Sequence, residues 1–265
     1  MQNHKIINQL NLELKKNRFL RFKKEISYQN LIKSDYDLFI NCDFEHEITK
    51  KFFSKKFTKE YDSIALATVI NHKKLFDNFV ARQIFTNNGP LAFLPISNEK
   101  TSIVYSARVK EYYADIDLIK LIRKFNTKYE IKKINKVSKF RLNSFNLRKY
   151  YFKNILAFGD LLHKIHPLAG QGFNMSIRDI KELLIIIDDK IKLGLPVDQS
   201  VCVEFQKKTK SKNFIFSEGV DFIYECFNSE NKFKNNLVDK TVKFIGNNKI
   251  INEYFKKIAD TGLQI

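Results

Sequence analysis

Phe158-Gly159-Asp160-Leu161-Leu162-His163-Lys164-Ile165-His166-Pro167-Leu168-Ala169-Gly170-Gln171-Gly172-Phe173-Asn174-Met175 is the stretch on which the reading of this chain turns. It begins at the end of a short apolar run, Asn154-Ile155-Leu156-Ala157-Phe158. It leads into Ile177, Ile180, Leu183, Leu184, Ile187 and Ile191, which share one face at helical spacing. A strand, a turn and a long amphipathic helix are predicted in that order. Three of the eight glycines and one of the four prolines fall in this stretch. The glycines flanking Gln171 let backbone approach a flat ligand where a Cβ would collide. The N–H groups opening the next helix, near Gly172 to Asn174, point outward with the positive end of the helix dipole. That suits the edge of a ring that gains negative charge on reduction. Asp160, at a strand end, suits hydroxyls of a sugar-like chain. A glycine-rich turn with Asp160 as a local cap is the plainer account, and it would suffice for an isolated Gly-Asp or Gly-x-Gly.

Upstream, a Lys-rich helix or turn is predicted at Ile6 to Lys16, then an extended segment from Tyr36 to Cys42 that ends in Asp43. Ser63 to Ile70, Val80 to Thr86, Leu91 to Ile96 and Thr101 to Ala107 are short apolar runs punctuated by Asn, Gly and Pro. They predict an antiparallel meander, with Asn87-Asn88-Gly89-Pro90 as its clearest turn. Glu111 to Phe125 is predicted helical, with Ile116, Ile119 and Ile122 on one face, and two more strands flank Ser138. Downstream, Gly194-Leu195-Pro196 ends the long helix. Asp198 is the expected N-cap of another through Phe227, and a last helical stretch is expected from Asn231 to Asp260.

Composition narrows the classes. In 265 residues, 47 Lys and Arg against 29 Asp and Glu give a net charge of +18, with 44% hydrophobic and 29% charged residues. The chain is too apolar for wholesale disorder and too charged for a polytopic membrane protein. Only eight of the basic residues are Arg, and the Lys are spread along the whole chain. A solvated lysine surface and attraction to an anionic surface both fit. Arg-rich patches interleaved with aromatics are lacking, so no nucleic-acid partner is expected. Cys42, Cys202 and Cys226 are odd in number and far apart, which argues against a disulfide framework or zinc ribbon; no metal site is expected. The longest apolar run near the best helix, Leu183 to Ile187, is far short of a spanning helix. The expected location is cytoplasmic, with peripheral contact on the inner face of a membrane. Lys207, Lys208, Lys210 and Lys212 near Phe205, Phe214 and Phe216 are the candidate for that contact, or else a solvated helix face.

The ordered string from Gly159 to Asp179 is far more specific than its parts. It resembles the second FAD-binding motif of the class A flavoprotein monooxygenases, and within them the ubiquinone-biosynthesis hydroxylases acting on polyprenylated phenols. That motif matches Gly159-Asp160, His163, His166-Pro167-Leu168-Ala169-Gly170-Gln171-Gly172, Asn174 and Arg178-Asp179. Phe85 to Ile96 is similar to the group's substrate-domain sheet, and Ala259-Asp260-Thr261-Gly262-Leu263 to its C-terminal helix end. The resemblance implies that Gly159 and Asp160 contact the ribityl or ribose part of FAD. It also implies that Pro167, Leu168, Ala169, Gly170, Gln171, Gly172, Phe173 and Asn174 lie against the isoalloxazine ring.

Two departures shape the expectation. The family's opening Gly-x-Gly-x-x-Gly turn, which holds the ADP part of FAD, is found nowhere here. The family's Asp-Gly motif is present as Asp43-Phe44, and phenylalanine disfavours the positive φ open to glycine. The expected fold is α+β: the remnant of an FAD-binding α/β domain (1–55 and 150–195), an antiparallel substrate-domain sheet (56–149) and C-terminal helices (196–265). The implied activity is FAD-dependent hydroxylation of a polyprenylated aromatic ring with NAD(P)H and O2. The alternative is a truncated, non-catalytic remnant or accessory subunit that binds FAD poorly alone. A separate N-terminal FAD-binding chain or a biosynthetic complex is the implied protein partner. No residue is assigned a catalytic role. His163 and His166 are read as packing or turn residues ahead of hydrogen-bond donors near the flavin, since neither has a carboxylate partner visible in sequence. Arg178 and Asp179 are read as structural, with Asp179 pairing with Arg178 or capping locally.

Overall fold

A computed structural model describes residues 3–22, 27–32, 36–86, 88–108, 116–167 and 171–233. The expected helix beyond Phe233, the Ala259 to Leu263 segment, Asn87, and the start of the helix predicted from Glu111 lie outside them. The fold is α+β, in two compact units: residues 1–26 with 61–142, and residues 27–60 with 143–265.

The first unit is built on an antiparallel sheet. β2 (Lys56–His72) enters it from the other unit, followed by β3 (Arg82–Thr86), β4 (Gly89–Ser97), β5 (Lys100–Arg108) and β6 (Ile131–Ile134). The strands are not a simple meander. β3, β4 and β5 form successive hairpins, but β2 pairs with β5, from Ser63 opposite Arg108 to Asn71 opposite Lys100. β6 joins the end of β2. The link from β2 to β3 must therefore cross the ends of β5 and β4. It does so in residues 73–81, where the Leu75 N–H donates to the Asn98 carbonyl at 2.9 Å and the Asn78 amide to the Ser97 carbonyl at 2.8 Å.

Alternation along β2, β4 and β5 puts Ile64, Leu66, Ile70, Leu91, Phe93, Ile103 and Tyr105 into one core. Leu118 and Ile122 of α4 (Leu118–Phe125) cover it; the helix is capped by Asp117, which accepts from the Lys120 N–H at 3.0 Å. Ile119 is exposed, so the four-residue spacing of Leu118 and Ile122 sets the buried face, not the three-residue spacing expected. At the β3–β4 turn, Gly89 has φ +135°, and a Cβ there would sit 1.9 Å from the Ser106 carbonyl oxygen. Only glycine closes this hairpin. α1 (Asn3–Lys16) precedes the sheet in sequence; Ile6 is half-buried and the residues from Ile7 to Lys16 are exposed.

The second unit contains α2 (Tyr28–Ile32), β1 (Phe39–Asn41), α3 (Glu47–Phe52), and β7 (Ser138–Leu147), which arrives from the other unit. β8 (Tyr151–Phe152), β9 (Ile155–Ala157), β10 (His163–Lys164), α5 (Gln171–Lys192) and α6 (Gln199–Phe233) complete it. β1 and β9 run parallel, with Asn41 opposite Ala157, and β8 folds back on β9. Asp198 begins α6 as expected, accepting from the Ser200 N–H at 2.9 Å.

The buried side of α5 is Met175, Asp179, Leu183 and Ile186. Leu183 is the one residue of the predicted stripe on this side; Ile177, Ile180, Leu184 and Ile191 are exposed and Ile187 is half-buried. The spacing of the isoleucines is helical, but the smaller set led by Met175 faces the core. Of the basic–aromatic stretch on α6, Phe205 is buried, Lys208 pairs with Glu182 and Glu204, and Lys210 donates to the Arg148 carbonyl. No helix of the described residues is long and apolar enough to cross a membrane.

Candidate functional site

The parallel pair β1–β9 defines the place where ligands bind in sheets of this kind, the crevice beyond the carboxyl ends of the strands. β1 leaves the sheet through Asn41-Cys42-Asp43 and β9 through Phe158-Gly159-Asp160. The Phe158 N–H donates to the Asn41 carbonyl at 2.8 Å, holding the two exits side by side. Asn41 is buried, and its amide donates to the Thr49 hydroxyl at 2.7 Å, while that hydroxyl donates to the Asp43 carbonyl. The first exit is thus fixed by α3. Asp43 turns its carboxylate to the Glu45 N–H at 2.8 Å. Phe44, standing where the family has glycine, packs edge-on against Phe145 at 6.0 Å, with the Lys56 ammonium above it at 5.1 Å. Burial lowers the Lys56 pKa.

Gly159 adopts φ +65° and begins a 3-10 turn, Gly159–Leu161. A Cβ built there meets nothing within 4 Å, so the glycine is required by its backbone conformation and faces open space. Asp160 is exposed, while Leu161 and Leu162 beside it are buried. Burial and the neighbouring Asp160 carboxylate raise the pKa of the Cys42 thiol. The carboxylate therefore acts electrically on the exit of β1 although it belongs to that of β9.

Of the remaining predicted contacts, Pro167 is exposed, and Leu168, Ala169 and Gly170 lie outside the described residues. Gln171 and Gly172 are half-buried at the start of α5, with Ile165 Cγ1 3.9 Å from a Cβ placed on Gly172. Gln171 accepts a hydrogen bond from the Asn174 amide at 3.2 Å, and Phe173 is 66% exposed. The opening turn of α5 thus carries one glycine, an amide pair and an exposed aromatic ring.

Behind that turn lies a cluster that sequence reading missed. His163 Nε2 and Asp179 Oδ2 are 2.6 Å apart, both residues are buried, and the Asn213 amide donates to the Asp179 carboxylate at 3.0 and 3.3 Å. This corrects the expectation that His163 lacks a carboxylate partner: the partner is sixteen residues on, brought round by the turn. The Asp179 carboxylate is thus structural, serving His163 and Asn213, and it also acts electrically on the Arg178 guanidinium. His163 is itself placed by β10, where it lies opposite Asn146 of β7.

Asn213 heads a stripe at four-residue spacing on α6. Ser217 accepts from the Asn146 amide at 2.9 Å, and Asp221 accepts from the Ser144 hydroxyl at 3.5 Å. Buried polar residues at that spacing were the one available signal in sequence. His166 is fully buried against Tyr224, ring centroids 4.1 Å apart, and burial pushes its pKa down to about 4. It is neutral at pH 7. The Arg178 guanidinium stacks over Phe216 at 4.5 Å, and burial lowers its pKa. Ser176 Oγ and Arg178 Nη1 are buried without a hydrogen-bond partner among the described residues.

This arrangement suits a flat, polar-edged group such as a flavin. Open space faces Gly159, an exposed carboxylate stands at the strand end, and α5 opens with Gly172 between Gln171 and the exposed Phe173 and Asn174. Unsatisfied polar atoms lie in that helix's first two turns.

Residues 55–192 match the family described as FAD binding domain, which is more than half of the chain. The chain belongs to that family, the class A FAD-dependent monooxygenases, and its curated relatives are ubiquinone-biosynthesis hydroxylases. It is 28% identical over 156 residues to 3-demethoxyubiquinol 3-hydroxylase of Escherichia coli, covering 56% of this chain and 39% of that protein. It is 23% identical over 232 residues to the mitochondrial ubiquinone biosynthesis monooxygenase COQ6 of Drosophila melanogaster, covering 72% and 49%. The chain thus spans less than half the length of these relatives. Among solved structures, p-nitrophenol 4-monooxygenase PnpA from Pseudomonas putida shares the fold, with TM-score 0.66 at 12% identity over 86% of this chain and 60% of that one.

Proposed function

We propose that this chain supplies the flavin-ring side of an FAD-dependent monooxygenase that hydroxylates a polyprenylated aromatic ring in ubiquinone biosynthesis, using NAD(P)H and O2. The observation that carries the reading is the pair of parallel strand exits, Asp43 and Gly159-Asp160, ahead of the glycine-lined start of α5. When bound, the flavin supplies the redox chemistry and oxygen activation. The chain's own residues bind and orient. Asp160 accepts hydrogen bonds from the ribityl or ribose hydroxyls, next to Gly159. Pro167, Gln171, Gly172, Phe173 and Asn174 form the surface against the ring, with the N–H groups opening α5 turned to its electron-rich edge; the resemblance assigns Leu168, Ala169 and Gly170 to the same contact. His163, Asp179 and Asn213 hold α5 in register behind them.

The ADP half of FAD is held by a segment or chain other than the residues described. The exposed Ile177, Ile180 and Leu184 on α5 support a further α/β segment packing there. A second reading, an accessory subunit without turnover of its own, is favoured by Phe44, whose ring occupies the turn where the family has glycine.

The test is a flavin titration of the protein followed by an assay with isotopically labelled O2 and a short-chain prenylphenol. Perturbed flavin absorbance, NAD(P)H oxidation and one labelled oxygen in the product are expected. Perturbed absorbance without product selects the accessory reading. A protein that leaves the flavin spectrum unchanged, alone and with an added Gly-x-Gly-x-x-Gly partner, overturns both.

A further inference from the structure

The link from β2 to β3 presents three large apolar side chains to solvent. Phe76 is 101% exposed, Phe79 82% and Val80 69%. This loop is not loosely held. His72 and Asn78 are each 2% exposed and anchor its two ends in one buried polar network. His72 Nε2 lies 3.1 Å from the Thr101 hydroxyl and its Nδ1 lies 2.9 Å from the Lys73 carbonyl. The Asn78 amide donates to the Ser97 carbonyl and the Thr101 hydroxyl, and the Tyr129 hydroxyl donates to Asn78 Oδ1 at 3.0 Å. The Lys73 and Leu75 N–H groups donate to the Glu130 and Asn98 carbonyls. A backbone fixed this firmly, with its two phenylalanines turned away from the core, is built to present them.

The rim of the loop is basic. Lys73 and Lys74 lie within it, Arg82 follows it, Lys100 sits on the turn that it crosses, and Lys128 shares with Val80 and Arg82 the walls of a 230 Å³ cavity. The acids of this rim are Asp77, Glu99 and Glu130. Asp77 accepts from the Phe79 N–H at 3.2 Å, and Glu130 pairs with Lys73 at 3.4 Å. Four of the five cations are lysines. Lysine is depleted at the cores of protein–protein interfaces, whereas isolated aromatic tips ringed by lysine match a phospholipid headgroup layer.

We propose that residues 73–82 form a membrane-docking element: Phe76, Phe79 and Val80 enter the headgroup–acyl boundary of an anionic bilayer, and Lys73, Lys74, Arg82 and Lys128 face its phosphates. The element uses no residue of the flavin site. It is separate from the basic stretch of α6. As Lys208 and Lys210 have partners there, Lys73 and Arg82 have Glu130 and the Thr127 hydroxyl here, and Phe76, Phe79 and Val80 are what set the loop apart.

The chain contains no tryptophan, so Phe76→Trp makes a single fluorescent reporter at a fully exposed position, with Phe222→Trp, 67% exposed on α6, as the control. Vesicles of phosphatidylcholine with phosphatidylglycerol are expected to shift the Phe76→Trp emission to the blue. Lipids brominated on their acyl chains are expected to quench it, and to leave the Phe222→Trp signal unchanged. In co-sedimentation, Phe76→Ser/Phe79→Ser lowers binding about tenfold or more. Lys73→Gln/Lys74→Gln/Lys128→Gln lowers it on anionic vesicles, and added salt lowers it further. Quenching at position 222 but not 76, or vesicle binding unaffected by the serine pair, overturns the proposal. So does concentration-dependent self-association that the serine pair abolishes, which would assign the loop to a second copy of the chain.

Discussion

Gly89 in the first unit and Gly159 in the second each hold positive φ at a turn, and these two have opposite surroundings. Gly89 in the sheet unit is closed in: a Cβ there would lie 1.9 Å from the Ser106 carbonyl oxygen. Gly159 at the end of β9 is open, with nothing within 4 Å of the same position. The buried histidines differ in a parallel way. His72 is served by neutral groups, the Thr101 hydroxyl and the Lys73 carbonyl, whereas His163 sits on the Asp179 carboxylate. The sheet unit meets its own steric and polar demands, and its network fixes a backbone. The other unit uses a buried carboxylate, bonded to His163 and Asn213, to position a helix whose Phe173 and Asn174 are exposed. A scaffold closes on itself; a site keeps space and holds its walls from behind.

The largest expected effect tests the closed side. Gly89→Ala drives a methyl group into backbone of the neighbouring strand and adds the strain of positive φ, for a combined loss of about 4 kcal/mol. Chemical denaturation should show it directly; a loss below about 1 kcal/mol would mean that the hairpin opens at little cost and that the contrast is false. Asp179→Ala comes next. It strips His163 and Asn213 of their shared acceptor inside the fold, at about 3 kcal/mol. Asp179→Asn, which keeps the shape and one acceptor oxygen, should lose less, and equal losses would show that the carboxylate is not what α5 needs.

His166 sharpens the comparison through pH. Its folded pKa of about 4 lies below the ordinary histidine value of 6.5, so the unfolded chain takes up a proton that the folded chain refuses. Stability is full above about pH 6.5 and is lost as pH falls toward 4, by about 3 kcal/mol from this group. His166→Phe, which keeps a ring against Tyr224, should flatten that part of the profile. Parallel profiles for the two proteins would place the acid sensitivity elsewhere.

Strands and turns were legible in sequence because their signals are local. The Asn-Asn-Gly-Pro turn, the apolar runs of the sheet and the Asp198 cap each depend on neighbours in the chain. The Gly159 turn was legible too, since the ordered string around it is long. Pairing β2 with β5 instead of β3 was not, because alternation fixes which face is buried but not which strand is adjacent. The buried face of α5 failed for a related reason. Two apolar stripes compete on that helix, and Asp179, whose polarity argues against burial, lies on the side that wins because His163 and Asn213 satisfy it. Sixteen- and thirty-four-residue separations leave no periodic trace. Of the candidate site, the residue types were therefore readable, while the support behind them required the fold.

The smallest stability effect is the most telling for function. Gly159→Ala adds a methyl group where there is room for it, so the only cost is holding a non-glycine residue at φ +65°, about 1 kcal/mol. The protein should remain folded, with a denaturation midpoint close to that of the parent. Yet the methyl group points into the space that a ribityl chain would need beside Asp160, so flavin affinity should fall well beyond what the stability change accounts for. Asp160→Asn, an exposed change that keeps size and removes the charge, should weaken flavin binding without moving the midpoint. Were Gly159→Ala to bind flavin as the parent does, the open space at the end of β9 would be surface and not site, and the difference between the two glycines would carry no functional meaning.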